Sequence, residues 1–365
     1  MTPRRLCVVA LVVAGCSENM GAPPPVSPWM SVLGDAHIAD LGAQFATDRA
    51  VFALEGRFET PNGDRRVVVL DFDDQPVAAP WVFDDLGVDA GRFVPLLEPA
   101  EVAVMARRDG KMVEYRDPDP PTSVVSGNLR RFATAPVVGG HVIIAQNTLE
   151  QVRALYQPYG QPRTEVMLGM STTEGAVAAA SIGDGVLLLG EGADLRGYNV
   201  TASPFAVSAS VPVATMPCPI TSIVVTPRSS GALVIVMCES VLMVGTLSAA
   251  PSLSWQQHAI IDGRARAESV DVAALVTDDA ADIVIQTDSL TVVPVLIHYR
   301  VDLNTGMVTP GVVLTDGVQR FGRQVLAHDT DGAVIMYALR TDPGGVRLVR
   351  ASLQMLLAGG IPEPP

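Results

Sequence analysis

Along the chain, apolar residues gather into short runs, rich in Val, Ile and Leu, often reached through turns rich in Asp or Gly. Seven runs share this character: VFALEG from Val51, VAVMARR from Val102, VIIAQ from Val142, VLLLGE from Val186, LVIVMCE from Leu233, IVIQT from Ile283 and VIMYALR from Val334. Apolar runs of that length, bounded by turn residues, read as strands. Their starts are separated by 51, 40, 44, 47, 50 and 51 residues. A repeat of about 47 residues falls in the range of a β-propeller blade, so seven units predict seven blades.

The units share an internal grammar. A weaker strand and a turn precede the apolar run, as in SVDVAALVTDDAADIVIQT at 269–287, RQVLAHDTDGAVIMYAL at 323–339 and AAASIGDGVLLLGE at 178–191. A third strand, a turn and a fourth strand follow, as in RVVVLDFDDQPVAAPWVF at 66–83, QVRALYQPYGQPRTEVML at 151–168 and VPVLIHYRVDLNTGMVTPGVVL at 293–314. Four antiparallel strands make a blade. The apolar run is nearly continuous, which predicts a strand buried on both faces. Helical periodicity is scarce, and NTLEQVRALY at 147–156 reads as a loop and a strand. The fold class expected is therefore all-β, a seven-bladed propeller of four-stranded antiparallel blades.

In the seventh unit only LLAGGIPEPP remains after the third strand, VRLVRASLQM. Its fourth strand is expected from the other end of the chain, where WMSVL at 29–33 is available to close the ring and cover an exposed edge. The propeller then spans 29–357, with 358–365 as a C-terminal tail.

Ahead of the repeats, the basic start MTPRR leads into LCVVALVVAGC, Leu6 to Cys16. This run is too short to cross a bilayer, which takes about 20 apolar residues. Arg4 and Arg5, the apolar stretch and the small pair Ala14-Gly15 instead fit a secretory signal over 1–15. The closing VAGC resembles the bacterial lipobox, which implies cleavage before Cys16 and acylation of that residue. An ordinary signal peptide with a chance cysteine is the competing reading. Residues 16–28, with Pro23 to Pro25 and Pro28, then form a semi-extended tether. Two or three acyl chains hold firmly where one is marginal. Ser17 resembles the enterobacterial pattern for sorting to the outer membrane, which implies a lipid-anchored protein of the bacterial cell envelope.

Composition supports a sizeable core, with 48% hydrophobic residues, and the net charge is −14. Removing Arg4 and Arg5 with the signal leaves 23 basic against 39 acidic side chains, a net −16. Such a surface repels a polyanion, so no nucleic-acid partner is expected. Lys111 is the one lysine; the arginine bias reads as codon usage in a GC-rich genome.

Cys218 and Cys238 flank a hairpin, CPITSIVVTPRSSGALVIVMC, with its turn near Pro227 to Gly231. If facing residues have numbers that sum to 456, Thr226 faces Ser230, Val224 faces Ala232, Ile220 faces Val236 and Cys218 faces Cys238. A cross-strand pair lies near disulfide spacing. A slightly different register would leave two buried thiols. With no C-x-x-C, a disulfide here would be structural.

No catalytic signature is present. His37, His141, His258, His298 and His328 are scattered, without H-x-H or H-E-x-x-H. There is no G-x-S-x-G elbow, no phosphate loop and no sialidase-type S-x-D-x-G-x-T-W box. Trp29, Trp81 and Trp255 are too few for a tryptophan-docked quinoprotein propeller. FGRQVLAHDTDGAVIMY, Phe321 to Tyr337, resembles the FG-GAP or VCBS repeat of integrin-type propellers, whose loop carboxylates bind calcium. The resemblance carries over to Asp329 and Asp331, but Gly332 comes too early and Ala333 stands where a third ligand belongs. TDDAADIVI at 277–285, with Asp278, Asp279 and Asp282, is a similarly degraded loop. Solvated β-turns explain the same aspartates through side-chain bonds to their own backbone.

Two functions follow from different classes. One is a non-enzymatic binding or scaffold module whose partner is another envelope protein or component. The other is an extracytoplasmic hydrolase or lyase with a site assembled from several blades at the central channel. Clustered Asp, Glu, His and Arg in the channel would favour the enzyme, and small apolar residues the scaffold.

Overall fold

The computed structural model describes residues 27–33, 37–46, 49–57, 65–70, 81–83, 93–97, 102–108, 111–116, 122–125, 129–159, 161–171, 176–228, 230–238, 241–249, 252–262, 272–277, 279–289, 292–315, 320–329 and 331–362. The expected signal segment, Cys16 and Asp278 lie outside them.

Among the described residues the strands form seven antiparallel sheets, five of four strands and two of five. The sheets are counted here in the chain order of their innermost strands. In the third, Leu129–Val137, Gly140–Asn147, Gln151–Pro158 and Thr164–Met170 follow one another as neighbours. Every apolar run lies on the second strand of its sheet: Arg49–Arg57, Val102–Arg108, Gly140–Asn147, Val186–Glu191, Gly231–Cys238, Ala280–Ser289 and Val334–Asp342. Gly140–Asn147 is buried at every position. In the fourth sheet Leu187 and Leu189 pack toward the third, in a cluster with Val142 and Ile144. Their neighbours Val186 and Leu188 pack toward the fifth, with Val234 and Val236. Side chains alternate between faces along a strand, so a strand covered on both faces must be apolar at successive positions.

The innermost strand of each sheet lies beside that of the next, from His37–Ala46 through Phe93–Leu97, Leu129–Val137, Val177–Ala180, Ile220–Arg228 and Val272–Thr277 to Arg320–His328. Arg320–His328 in turn neighbours His37–Ala46. Buried and half-buried polar side chains bridge these sheets. Thr226 Oγ1 donates to the Ala274 carbonyl at 3.1 Å. Gln324 Nε2 donates to the Val284 carbonyl at 3.1 Å, and Gln286 Nε2 to the Phe321 carbonyl at 2.6 Å. Each bond satisfies a group that would be costly to bury alone.

Both ends of the described chain meet the last two sheets. Met30–Ser31 pairs with Gly345–Ser352 of the seventh sheet, Met30 opposite Arg350 and Ser31 opposite Val349. Trp29 is buried against Phe321, ring centroids 4.8 Å apart. The segment after Ser352 departs from a plain tail beginning at 358. Leu353–Gly359 is a helix that buries Leu353 and Leu356, and Ile361–Pro362 adds a fifth strand to the sixth sheet, beside Val312–Val313. That helix is too short to be legible by periodicity, and two leucines three positions apart suffice to seat it. No helix among the described residues is long and apolar enough to cross a membrane.

Cys218 and Cys238 form a disulfide, Cα atoms 5.6 Å apart, but the register expected for their hairpin is wrong. Arg228 faces Gly231, Thr226 faces Leu233, Val224 faces Ile235 and Ile220 faces Cys238, with a bulge between Ile220 and Ser222. The difference lies at Pro227, which does not sit in the turn. Pro227 is instead the penultimate residue of the innermost strand Ile220–Arg228, a sheet edge where a missing N–H is tolerated. The turn is correspondingly tighter and ends at Gly231, whose φ of +122° and closeness to the Leu247 carbonyl suit glycine alone. Cys218 reaches Cys238 from just outside the strand. Replacing both cysteines by alanine should leave a folded protein with a lower melting temperature. A chain-entropy estimate gives about 3 kcal/mol for a loop of this size. Unchanged melting curves of the oxidised and double-alanine proteins would overturn that expectation.

Candidate functional site

The first and third hairpin turns of a four-stranded meander fall at the same end. Contacts across neighbouring sheets align these ends from the fourth sheet to the seventh, giving one face that carries the turns. Of the aspartates expected in calcium-like loops, Asp279, Asp329 and Asp331 belong to it. Asp329 Oδ1 accepts the backbone N–H groups of Asp331 at 3.0 Å and Ala333 at 2.7 Å, which makes it the organiser of its own turn. Asp331 is exposed in that turn. Asp279 occupies the turn of the sixth sheet, where its carbonyl accepts the Leu303 N–H at 2.7 Å. Asp282 corrects the expected loop assignment, because it lies on the strand Ala280–Ser289 and is only 1% exposed. Among the described residues no three His, Cys, Asp or Glu side chains are gathered around a metal position.

Asp282 instead centres a buried ionic cluster between the sixth and seventh sheets. His298 Nε2 meets its Oδ1 at 2.9 Å, and Arg300 Nη1 donates to both oxygens, at 3.1 and 2.9 Å. Thr277 Oγ1 adds a donor at 3.3 Å. Strand periodicity explains the convergence: Asp282 faces Arg300, and Val284 faces His298, so His298 and Arg300 share one side of their strand. Burial is the largest influence on the Asp282 carboxyl and pushes its pKa up, but the His298 and Arg300 hydrogen bonds and charges outweigh it and hold the value below 3.8. Sequence reading missed this cluster because His298 has no neighbouring ligand in the sequence; the available signal was the alternation His298-Tyr299-Arg300.

On the fourth strand of the fifth sheet, His258 Nε2 lies 2.9 Å from Thr246 Oγ1. Burial, then the Arg228 guanidinium, lower its pKa below 6.5 against an opposing hydrogen bond to the Leu303 backbone. Between the fourth and fifth sheets lies a groove of about 590 Å³. Its walls are the turn from Ile182 to Gly185, the strand positions Asn199 and Val200, the turn residues Ser230 and Gly231, and the strand end Ser248-Ala249. Asp184 Oδ2 accepts the Ala202 N–H at 3.2 Å, and Ser248 Oγ lies 2.7 Å from Ser254 Oγ. The Asn199 side-chain oxygen is buried and has no hydrogen-bond partner. The glycine-bounded turns were legible, but a space between two sheets 47 residues apart was not.

The innermost strands are built largely from small and apolar residues: FVPLL at Phe93–Leu97, VAAA at Val177–Ala180 and VAALVT at Val272–Thr277. Arg320–His328, RFGRQVLAH, and Leu129–Val137, LRRFATAPV, add arginines and one histidine, and His37–Ala46, HIADLGAQFA, adds His37 and a single carboxylate, Asp40.

No family model matches the sequence, and no curated protein matches it. Solved structures do resemble the fold. The Nup133 β-propeller domain of Vanderwaltozyma polyspora matches with a TM-score of 0.50 at 11% identity, over 87% of this chain and 100% of that one. Hsv2 of Kluyveromyces lactis matches with a TM-score of 0.54 at 9% identity, over 87% of this chain and 99% of that one. At these identities the likeness is one of fold: the chain is a β-propeller of antiparallel sheets.

Proposed function

We propose that this propeller is a lipid-anchored, non-enzymatic binding or scaffold module of the bacterial cell envelope, held at the outer membrane through Cys16 and engaging another envelope component through its turn-bearing face. The ring has seven blades, and Met30–Ser31 completes the seventh. Support for the blade count comes from the seven sheets and their successive innermost strands, and support for closure from the pairing of Met30 with Arg350. The observation that carries the binding role is the composition of those innermost strands. Val177–Ala180 and Val272–Thr277 are suited to packing, whereas propeller hydrolases and lyases need carboxylates converging on the axis to move protons. The anchor rests on Arg4, Arg5, the apolar run and VAGC.

Two linked measurements test the proposal. Cys16→Ala should abolish metabolic labelling with palmitate and release the protein from the detergent-extracted membrane fraction; continued labelling would overturn the anchor. Photo-crosslinkers placed at the exposed positions Ser230 and Asp331 should give a discrete, reproducible adduct in intact envelopes. Absence of any adduct from both positions, with the protein correctly in the membrane, would overturn the binding role.

A further inference from the structure

The helix Leu353–Gly359 buries Leu353 and Leu356 and leaves Gln354, Met355, Ala358 and Gly359 exposed. Residues four apart lie on one side of a helix, so 354 with 358 and 355 with 359 form one continuous outer face. Met355 is 59% exposed on it. From Ala351 to Pro362 the chain carries no ionisable side chain, in a protein of net charge −14. The helix has no acidic residue in its first turn and no basic residue in its last. Helices on a water-facing surface ordinarily set charged residues on the side away from the core. An outer face of methionine, alanine, glycine and glutamine fits an environment less polar than water.

The path of the chain says what that environment is. Met30 lies opposite Arg350 on antiparallel strands, so Pro28 and Trp29 before it and Ser352 after Arg350 stand at one end of the seventh sheet. Trp29 shares a cluster with Leu353 and Leu356, and its N–H donates to Ser27 Oγ at 3.3 Å, so the chain that precedes Ser27 starts from the helix end of the sheet. Eleven positions separate Ser27 from Cys16, a reach of at most about 40 Å. We infer that the outer face of this helix rests on the bilayer in which Cys16 is anchored, with Met355 at the level of the lipid headgroups. One short helix with one exposed methionine holds a membrane weakly by itself. The anchor makes the contact intramolecular, and a weak contact suffices at the effective concentration that a short tether sets. Anionic lipid repels the acidic remainder of the chain, which favours approach by this uncharged corner. The inference rests on the reading of Cys16 as acylated and adds to it which surface of the propeller meets the membrane.

The test uses the whole acylated protein in vesicles of phosphatidylethanolamine with a minor share of phosphatidylglycerol. With Cys16 acylated and Cys218 bonded to Cys238, the mature chain has no free thiol, so Met355→Cys takes a single nitroxide label. Ala358→Cys gives a second site on the same face, and Met170→Cys, 60% exposed on the third sheet, is the control. In vesicles the labels at 355 and 358 should show a ratio of oxygen to water-soluble nickel-chelate accessibility severalfold above that of the label at 170. Cys16→Ser should abolish this difference, and Met355→Glu should return the label at 358 to the chelate while the protein still floats with the vesicles. Labels at 355 and 358 as open to the chelate as the one at 170, in protein that floats, would overturn the inference and leave the anchor standing. Labels shielded from both reagents would show that a second copy or the chain's own N-terminal segment covers the helix, and would overturn it as well. Protein that fails to float would overturn the anchor and this inference together.

Discussion

Deletion of residues 29–33 is expected to yield insoluble or rapidly proteolysed protein, the largest effect of any small lesion in the molecule. The deletion removes the ladder of Met30 and Ser31 on Arg350 and Val349, together with the bond from Val32 N–H to the Leu348 carbonyl at 3.1 Å. It also removes Trp29 from a cluster that includes Phe321, Leu353 and Leu356. The third strand of the seventh sheet would then present an unpaired edge, a template for association with other chains. Trp29→Ala separates the two contributions, since it keeps the ladder and loses the side chain. Burying a large aromatic is worth about 3–5 kcal/mol in such substitutions, so this variant should fold but melt well below the parent. Limited proteolysis and thermal melting of both variants check the expectation, and a deletion that melts like the intact protein would show that the strap is dispensable.

The second large effect is expected from Asp282→Ala. It leaves His298 buried and Arg300 half exposed without the carboxylate that both contact. Removing one partner of a buried pair costs about 3–5 kcal/mol, and the exposure of Arg300 places this case near or below the lower end. Asp282→Asn preserves the shape and isolates the charge. Because the folded carboxyl titrates below its ordinary 3.8, its contribution is complete above that pH and is lost as pH falls through the still lower folded value. Melting temperatures of the parent and Asp282→Asn should therefore differ at neutral pH and converge below pH 3.8. A gap that persists unchanged in acid would remove the charge from the explanation. His258 acts in a separate window: its lowered pKa gives a contribution complete above 6.5 and declining below it.

These two regions show what sequence could and could not convey. The second strands were legible because burial on both faces, as at Gly140–Asn147 and in VLLLG at 186–190, forces successive apolar residues, and a run of that kind repeats along the chain. A pairing such as that of Met30–Ser31 with Gly345–Ser352 could be looked for by subtraction, since the seventh unit lacked a partner for its third strand. Register was not legible. Pro227 carries the same chemical signal in a turn and on a sheet edge, and only the sheet decides which applies. Asp282 likewise resembled its neighbours Asp278 and Asp279 in sequence, and what distinguishes it is a partner strand 16 to 18 positions further on. The groove had still less chance of being read, because Asp184 and Ser230 are brought to its rim by two different sheets.

The order of residues in the strap also determines how the protein bears a load. Any pull arriving through the residues before Ser27 meets Trp29 first, seated beside Phe321, and reaches the short ladder at Met30 and Ser31 only after that ring has been drawn from its socket. The indole thus works as the strain relief on a cable, taking up tension at the point of entry. The segment after Ser352 shares that socket through Leu353 and Leu356 and is fastened again by Ile361–Pro362 on the sixth sheet. Drawing the indole out also loosens the seat of the helix Leu353–Gly359, and a molecule stretched from its N-terminal side should yield in two stages, a small extension as the strap peels and a large one only when the sheets themselves give way.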